Sequence, residues 1–346
     1  MKLKTLLVLL VLSVSAIAQE EYTIRDFSTK YIGKLTIDQG QEDHVFKKGT
    51  IAIYSKSSNK KMVEIKSEEL IFDVDDNKEV KTNVLELPYE EQSILISQDF
   101  NFDGTPDIAI MDGQHSCYHG PSFQIYLDKN NELVHSKEFT RLGQEYCGLF
   151  KIDEKNKTIH TMTKSGCCWH QFSTFKVREG IPKPILVIEE DAMNLPYLTT
   201  TTRTWDGDTE TKTIEKYIDL EEEETVKIFS FELQKNRKKV IVFTLYGTEL
   251  NYILLTNDKV IEFNYPVSSI SENVGFLINK TKEELTFKNK DATYQVYDKQ
   301  SKNGIKEVGV LVTVKGKTYD LKGDIKTVKG TLKNIDVATL NNLTIE

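Results

Sequence analysis

Residues 99–107 read Asp99-Phe100-Asn101-Phe102-Asp103-Gly104-Thr105-Pro106-Asp107. Oxygen-bearing side chains occupy positions 1, 3, 5 and 9 of this segment. A glycine occupies position 6 and position 7 can offer its backbone carbonyl, which is the ligand order of a calcium loop. A hard cation such as Ca²⁺ takes about six to eight oxygen ligands at short range. We therefore predict a calcium site whose ligands are the side chains of Asp99, Asn101, Asp103 and Asp107 and the carbonyl of Thr105.

The residues after this loop predict a β setting for it. A helical EF-hand supplies a bidentate glutamate at position 12, but that position is Ile110 here, and residues 108–110 read as a strand. The alternative to a metal site is a solvated turn, because Asp, Asn and Gly favour turns without any ion.

The N-terminus predicts export. Lys2 and Lys4 precede an apolar run at residues 6–12, and small residues at 16–18 precede Gln19, which is the pattern of a cleaved signal peptide over residues 1–18. The apolar run is too short to span a bilayer, and no later segment is apolar enough to do so. No cysteine follows the predicted cleavage site, so we expect a periplasmic or secreted protein without a lipid anchor.

The charge balance disfavours one class of partner. The chain has 45 basic and 53 acidic residues, a net charge of −8, and its acids are scattered. Nucleic acid is therefore not expected as a partner, whereas a basic protein or a cation is compatible with this charge.

Four cysteines lie between residues 117 and 168. In an oxidising compartment an even number of cysteines predicts two disulfides, here with three possible pairings. Cys167 and Cys168 are adjacent, and neighbours on a strand face opposite sides. We therefore expect each of them to bridge to Cys117 or Cys147, with both disulfides inside the first domain.

The hydrophobic pattern predicts an all-β protein of two domains. Short alternating or β-rich runs recur at 50–54, 70–74, 93–97, 122–127 and 158–163, and hardly any segment shows helical periodicity. About seven further strands are predicted between 226 and 321. We expect a propeller-like or barrel domain at 20–195, a linker or edge hairpin at 196–224, and a smaller β-sandwich or barrel at 225–346.

Three pieces of the sequence, in order, resemble one protein family. They are the loop at 99–107, the strand Gly120-Pro121-Ser122-Phe123-Gln124-Ile125-Tyr126-Leu127, and Ser165-Gly166-Cys167-Cys168-Trp169-His170. Residues from about 90 to 195 are similar to calcium-binding β-propeller proteins of the Gram-negative periplasm, which act as immunity proteins against peptidoglycan-cleaving effectors of type IV secretion. The resemblance implies a propeller-like fold, calcium at the loop and an inhibitory role. It does not cover the last 120 or so residues, and no inhibitory residue can be aligned.

The histidines and cysteines also allow two other arrangements of reactive side chains. On a strand His115, Cys117 and His119 would share one face, where Cys147, Cys168 or His170 could join them around zinc. A catalytic cysteine with His170 as its base is a further alternative. Exported cysteines are usually oxidised and inert to both roles, and no motif of a common enzyme class is present, so we expect no enzymatic activity.

Binding is therefore the expected function, with two hypotheses. The first is an inhibitor of a lysozyme-like peptidoglycan hydrolase, and the second is a non-inhibitory envelope module for glycan or protein. Tyr118, Trp169 and His170 lie beside the cysteines in the sequence, and we expect them to contact a protein partner if they are exposed.

Overall fold

The computed structural model describes residues 20–77, 79–86, 91–267, 275–301 and 303–346. The predicted export signal lies outside these residues. Within them the protein is almost entirely β-structure, as predicted, and no helix is long and apolar enough to cross a membrane. The chain divides into two compact units. The first comprises the described residues up to 164 together with Phe172–Leu186, and the second comprises Ser165–Gln171 and Val187–Glu346.

The first unit is built from consecutive antiparallel meanders. One four-stranded sheet has the order β1 (Glu21–Ile24), β2 (Tyr31–Ile37), β3 (Lys47–Ser55) and β4 (Lys61–Leu70). The next has the order β5 (Leu95–Gln98), β6 (Asp107–Ser116), β7 (Gly120–Lys129) and β8 (Glu132–His135). A four-stranded meander is the sheet unit from which propellers are made.

A third set of four strands follows in the same order along the chain. It consists of β9 (Lys151–Asp153), β10 (Thr158–Ser165), β11 (Trp169–Arg178) and β12 (Ile181–Asn194). The division between the two units falls within β10, β11 and β12. Residues 165–171, which form the end of the β10–β11 hairpin, therefore belong to the second unit.

One helix, α1 (Lys137–Gln144), interrupts the β-structure of the first unit, and the sequence pattern did not predict it. Ser136 caps it by accepting a hydrogen bond from the amide of Phe139, and its eight residues are too short to show a clear period. Phe139 is fully buried and packs near Phe150, which in turn contacts Phe100 of the 99–107 loop at a ring separation of 5.2 Å. The loop is thus anchored in the core of this unit.

Among the described residues of the second unit, twelve strands that lie wholly within it form a continuous hydrogen-bonded ladder. In chain order they are β13 (Tyr197–Asp206), β14 (Thr209–Ile218), β15 (Thr225–Leu233), β16 (Lys239–Leu245), β17 (Glu249–Thr256), β18 (Val260–Tyr265), β19 (Phe276–Asn279), β20 (Glu284–Asn289), β21 (Ala292–Gln300), β22 (Lys306–Val314), β23 (Lys317–Gly330) and β24 (Leu343–Ile345). The spatial order is β24-β19-β20-β21-β22-β23-β15-β16-β17-β18-β14-β13.

Aromatic contacts show that strands far apart in the order of this ladder pack against each other. Tyr265 of β18 stacks on Phe287 of β20 at 4.4 Å, and Tyr252 of β17 contacts the same ring at 5.0 Å. Strands remote in the ladder therefore enclose one core, although the described strands do not form a closed barrel. A smaller cluster around Ile241 and Phe243 lies on the other face of the sheet and includes Tyr197 and Ile218 of the β13–β14 hairpin.

The strand predictions differ from the structure in a few places. The run predicted at 70–74 is not a continuous strand, because β4 ends at Leu70 and Val74 makes only an isolated bridge to Val80. The segment expected to be a linker or edge hairpin contains the β13–β14 hairpin, whose strands pair over their full length. The hairpin does not lie at a sheet edge, because β14 also pairs with β18.

Candidate functional site

The 99–107 loop connects β5 to β6, so its last residue is the first residue of a strand. Its side chains turn inward to the loop backbone. The two carboxylate oxygens of Asp99 accept hydrogen bonds from the amides of Asp103 (3.0 Å) and Gly104 (2.8 Å). Asn101 Oδ1 accepts from the Asp103 amide at 2.9 Å, and Asp103 Oδ1 accepts from the Thr105 amide at 2.8 Å. Gly104 has a φ of +89°, a conformation that suits glycine.

Asp107 differs from the other acids of the loop because its side chain is completely buried. Its carboxylate accepts the amides of Phe100 (3.0 Å) and Asp128 (2.9 Å). Burial raises the pKa of Asp107 from 3.8 to about 7. The two hydrogen bonds act in the opposite direction, and the negative charges of Asp103 and Asp99 raise the pKa further.

The loop suits a hard cation in its donors and its charge. Asp99, Asn101, Asp103 and Asp107 offer side-chain oxygens and Thr105 a carbonyl, and carboxylate oxygens retain lone pairs after accepting an amide. The repulsion that Asp99 and Asp103 exert on buried Asp107 is what a bound cation would relieve. Among the described residues, no group of three or more His, Cys, Asp or Glu side chains is arranged to hold a metal ion.

The far end of β6 carries an unusual turn. Cys117–His119 forms a single 3₁₀ turn, which we call the Cys117 turn, and not a continuation of the strand. Tyr118 (φ 54°, ψ 37°) and His119 (φ 58°) are both left-handed, a conformation that costs a non-glycine residue about 1 kcal/mol or more. The alternation of His115, Cys117 and His119 therefore does not place them on one strand face, and the geometry assumed for the zinc alternative is wrong.

The disulfide pairing also differs from the expectation. Cys117 pairs with Cys147, and Cys167 pairs with its neighbour Cys168. The expectation assumed that residues 167 and 168 lie on a strand, whereas they lie in the turn between β10 and β11, where adjacent side chains can approach each other. The Cys167–Cys168 pair lies in the second unit. All four cysteines are oxidised, so neither a thiolate nucleophile nor a thiolate zinc ligand is present.

Several contacts fix the Cys117 turn. The disulfide ties it to Cys147, and Ser116 Oγ accepts the amide of Gly148 at 3.2 Å. The ring of His119 meets Phe46 edge-on at 5.0 Å, and its Nε2 lies 3.6 Å from a carboxylate oxygen of Glu69.

Tyr118 and His119 are both exposed in this turn. Tyr118 is 60% exposed, and Lys164 Nζ lies 4.8 Å from the centre of its ring. An exposed aromatic side chain on a fixed backbone is a common centre of protein interfaces.

An apolar cavity of about 250 Å³ is also present in the first unit. Cys147, the partner of Cys117, is one of its lining residues. The others include Tyr146, Leu149, Phe150, Met162 and Phe172, and Phe172 is 43% exposed. The sequence pattern did not identify this cavity, because its residues come from the segment 146–150 between α1 and β9, from β10 and from β11, and show no local signal.

The remaining predicted contact residues lie elsewhere. Trp169 and His170 begin β11 and belong, with Cys167 and Cys168, to the second unit, where both are partly buried. His170 and the two cysteines line an open cleft with residues of β12, β13 and β14. The structure therefore does not combine Tyr118, Trp169 and His170 within one unit.

Comparison with known proteins gives no family assignment. No family model matches the sequence, and no curated protein matches it. A solved Xanthomonas type IV secretion system related protein is similar over 56% of this chain and 92% of its own, with 18% identity and a TM-score of 0.45. The β-propeller domain of the trilobed protease from Pyrococcus furiosus is similar over 88% of this chain and 97% of its own, with 8% identity and a TM-score of 0.18. Similarities at these levels do not establish a shared function.

Proposed function

We propose that the first unit is a calcium-binding contact module that inhibits a peptidoglycan hydrolase by placing the Cys117 turn in the cleft of the enzyme. The observation that carries this proposal is the conformation of Tyr118, an exposed aromatic residue held left-handed next to a second left-handed residue. Unfavourable backbone conformations persist where the surroundings enforce them, and they concentrate at functional positions.

Rigidity is what a cleft-blocking turn requires. Ordering a flexible loop on binding costs about 0.5–1.5 kcal/mol for each immobilised side chain. The Cys117–Cys147 disulfide and the His119 contacts with Phe46 and Glu69 order the turn before any partner arrives. Tyr118 can then bury its ring in the partner at the cost of immobilising its own side chain alone, as aromatic anchors on a fixed backbone do in tight interfaces.

The apolar cavity gives the same unit a place for a partner side chain. Its volume of about 250 Å³ and its apolar lining suit a leucine or an aromatic ring. Cys147 belongs to both features, since it lines the cavity and anchors the turn. A partner could therefore receive Tyr118 and insert its own apolar side chain within one interface.

Calcium would act on the stability of this unit and not on the partner. The ion would be held by the side chains of Asp99, Asn101, Asp103 and Asp107 and by the carbonyl of Thr105. It would place a positive charge beside the buried carboxylate of Asp107. Nine residues of β6, 108–116, separate the loop from the Cys117 turn, and the distance along the strand from Asp107 to Cys117 is about 33 Å. The ion would thus secure the beginning of the strand that carries the turn at its end.

The choice of a peptidoglycan hydrolase rests on the sequence. The loop, the 120–127 strand and the 165–170 segment resemble the immunity proteins described above. Lysozyme-like enzymes are commonly basic, and a chain with a net charge of −8 would be steered towards a basic partner.

A cell-wall turbidity assay tests the proposal. The full mature chain, loaded with calcium, is mixed with each of a panel of basic lysozymes and native envelope hydrolases. We expect at least one enzyme to be slowed at near-stoichiometric dose, with an association rate that falls as salt rises. If a folded, calcium-loaded protein slows none of them, the inhibitory role is wrong and a non-inhibitory binding module is the better conclusion.

A further inference from the structure

The β13–β14 hairpin of the second unit carries a regular row of threonines. The strands pair in register, so Thr202 lies opposite Thr213 and Thr204 opposite Thr211. Cross-strand partners share a face of the sheet, and alternate residues of one strand do so as well. Six threonines therefore lie on one face, which we call the threonine face: Thr200, Thr202, Thr204, Thr209, Thr211 and Thr213.

This face points away from the core. Tyr197 and Ile218, which lie opposite each other at the start of the hairpin, pack against the small cluster around Phe243. The next pair, Leu198 and Tyr217, points to the opposite side of the hairpin, because successive residues of a strand alternate between its two faces. The six threonines share the side of Leu198 and Tyr217. All three threonines of β14 on this face are exposed.

The threonine hydroxyls have no internal role within the described part of the chain. Their backbones pair in the ladder, but none of the six side-chain hydroxyls makes a hydrogen bond to another described residue. The β22–β23 hairpin provides a contrast, because Thr313 and Thr318 pair across it and bond to each other at 2.8 Å. The threonine face thus presents hydroxyl groups to solvent at the regular spacing of a β-sheet.

The threonine face continues into the open cleft beside the Cys167–Cys168 disulfide, which has a volume of about 540 Å³. Thr200 belongs to both features, and Leu198 and Tyr217, which lie on the same side of the hairpin as the threonine face, also line the cleft. The ring of Tyr217 is held in place by a hydrogen bond from its hydroxyl to Glu215, at 2.7 Å. The cleft therefore combines apolar surface, supplied by the disulfide, Leu198 and the Tyr217 ring, with polar groups.

The threonine face and the adjoining cleft together form one strip of surface. This strip has the length and chemistry of a site for a linear glycan. The hairpin from Leu198 to Asp206 extends for about 27 Å. A sugar ring presents an apolar face of C–H groups, which suits the Tyr217 ring and the disulfide, and equatorial hydroxyls, which suit rows of hydroxyl and carboxylate groups.

The charges along the strip select among glycans. Glu190 and Asp191 line the cleft, and Glu215 and Asp206 lie on the threonine face, against one lysine, Lys259. A polymer of acidic sugars would be repelled by this surface. We propose that the threonine face and the disulfide cleft bind an extended, uncharged glycan chain. This site lies in the second unit and is independent of the function proposed for the first.

Titration calorimetry on the full mature chain tests this inference, with the tetramer of N-acetylglucosamine as probe and tetragalacturonate as an acidic control. We expect saturable binding of the neutral tetramer and binding of the acidic one that is at least about tenfold weaker. The double variant Thr202→Val, Thr213→Val keeps the shape and β-propensity but removes two hydroxyls, and should weaken binding about tenfold. Tyr217→Ala should have an effect of about the same size.

Thr201→Val is the matched control, because residue 201 lies on the opposite face of the same strand. Its affinity should equal that of the wild type. The inference is overturned if the neutral tetramer does not bind, if tetragalacturonate binds as tightly, or if the double variant and Thr201→Val, both folded by circular dichroism, bind equally well.

Discussion

Asp107 and Asp128 are linked through a hydrogen bond in which the buried carboxylate of Asp107 accepts the backbone amide of Asp128 at 2.9 Å. The side chain of Asp128 in turn accepts Lys30 Nζ at 2.8 Å and the Tyr31 hydroxyl at 3.0 Å. The last residue of the loop is therefore tied to β7, and through Asp128 to the start of β2. A change in the charge of Asp107 should consequently affect the stability of the whole first unit.

The raised pKa of Asp107 predicts how that stability depends on pH. Between about pH 4 and pH 7 an unfolded chain releases the Asp107 proton while the folded chain keeps it, so the free energy of unfolding falls as pH rises, by up to about 4 kcal/mol. A bound Ca²⁺ would favour the ionised form. In thermal melts with calcium and with chelator, we therefore expect calcium to raise the melting temperature more at pH 8 than at pH 5.

Asp75 and Asp153 cannot produce this effect. Backbone hydrogen bonds lower the pKa of both, so their contributions to stability are lost only as pH falls through the acid range. An equal calcium effect at pH 5 and pH 8 would contradict the role given to Asp107.

Removing one ligand should abolish the calcium response. For a dissociation constant near about 10⁻⁵ M and about 1 mM free Ca²⁺, binding adds about 2.7 kcal/mol to the free energy of unfolding. We expect Asp103→Ala to lose most of this gain. Asp153→Ala is the matched control, since Asp153 caps a hairpin turn by accepting the Asn156 amide at 3.0 Å. Denaturation with and without calcium distinguishes them, and a full calcium response in Asp103→Ala would exclude the loop as the site.

The two disulfides should differ in their effect on stability. The Cys117–Cys147 bond spans 30 residues, and its loss in the double serine variant should cost about 3–4 kcal/mol. The Cys167–Cys168 bond closes no chain segment between its residues, so its double serine variant should change the free energy of unfolding by less than about 1 kcal/mol. Urea denaturation measures both, and mapping of non-reduced peptides checks the pairing. Peptides that join Cys117 to Cys167 or Cys168 would contradict the structure.

The local patterns of the sequence predicted the all-β character well. Strands such as β16 and β17 consist of apolar runs with β-branched residues, and the Gln234–Arg237 turn before β16 is polar. Short strands were missed. Strand β19 has four residues and β20 has six, which are too few to show a clear alternation of apolar and polar residues. The lysines and glutamate between the two strands obscure that alternation further. Helix α1 was missed for the same reason, since eight residues give little periodicity.

The candidate site depends on tertiary contacts that no local pattern contains. The left-handed backbone of Tyr118 is enforced by the disulfide to Cys147 and by the packing of His119 on Phe46, which lies 73 residues earlier in the chain. The pairing of Cys167 with Cys168 follows from a turn where the sequence alone allowed a strand. The candidate ligands of the 99–107 loop could be named from the sequence because they all lie within nine residues, and calcium binding there stays a prediction.

Substitution of Tyr118 should separate binding from stability. Glycine adopts a positive φ without the cost that tyrosine bears, and this gain offsets the loss of the Lys164 contact with the ring. We therefore expect Tyr118→Gly to change the free energy of unfolding by less than about 1 kcal/mol. Tyr246 is the matched control in the second unit, because it is also left-handed (φ 53°) and also 60% exposed. A large destabilisation of Tyr118→Gly alone would give the turn a structural role.

The most direct test of the proposed inhibition is a cell-wall turbidity titration with a responsive basic hydrolase and three proteins: wild type, Tyr118→Gly and Tyr246→Gly, each calcium-loaded and shown to be folded. Wild type and Tyr246→Gly should slow the enzyme at near-stoichiometric dose, whereas Tyr118→Gly should need at least about tenfold more protein, since central aromatic anchors contribute about 2 kcal/mol or more to an interface. Equal inhibition by all three proteins, or none by any, would contradict the proposal that the Cys117 turn is the inhibitory contact.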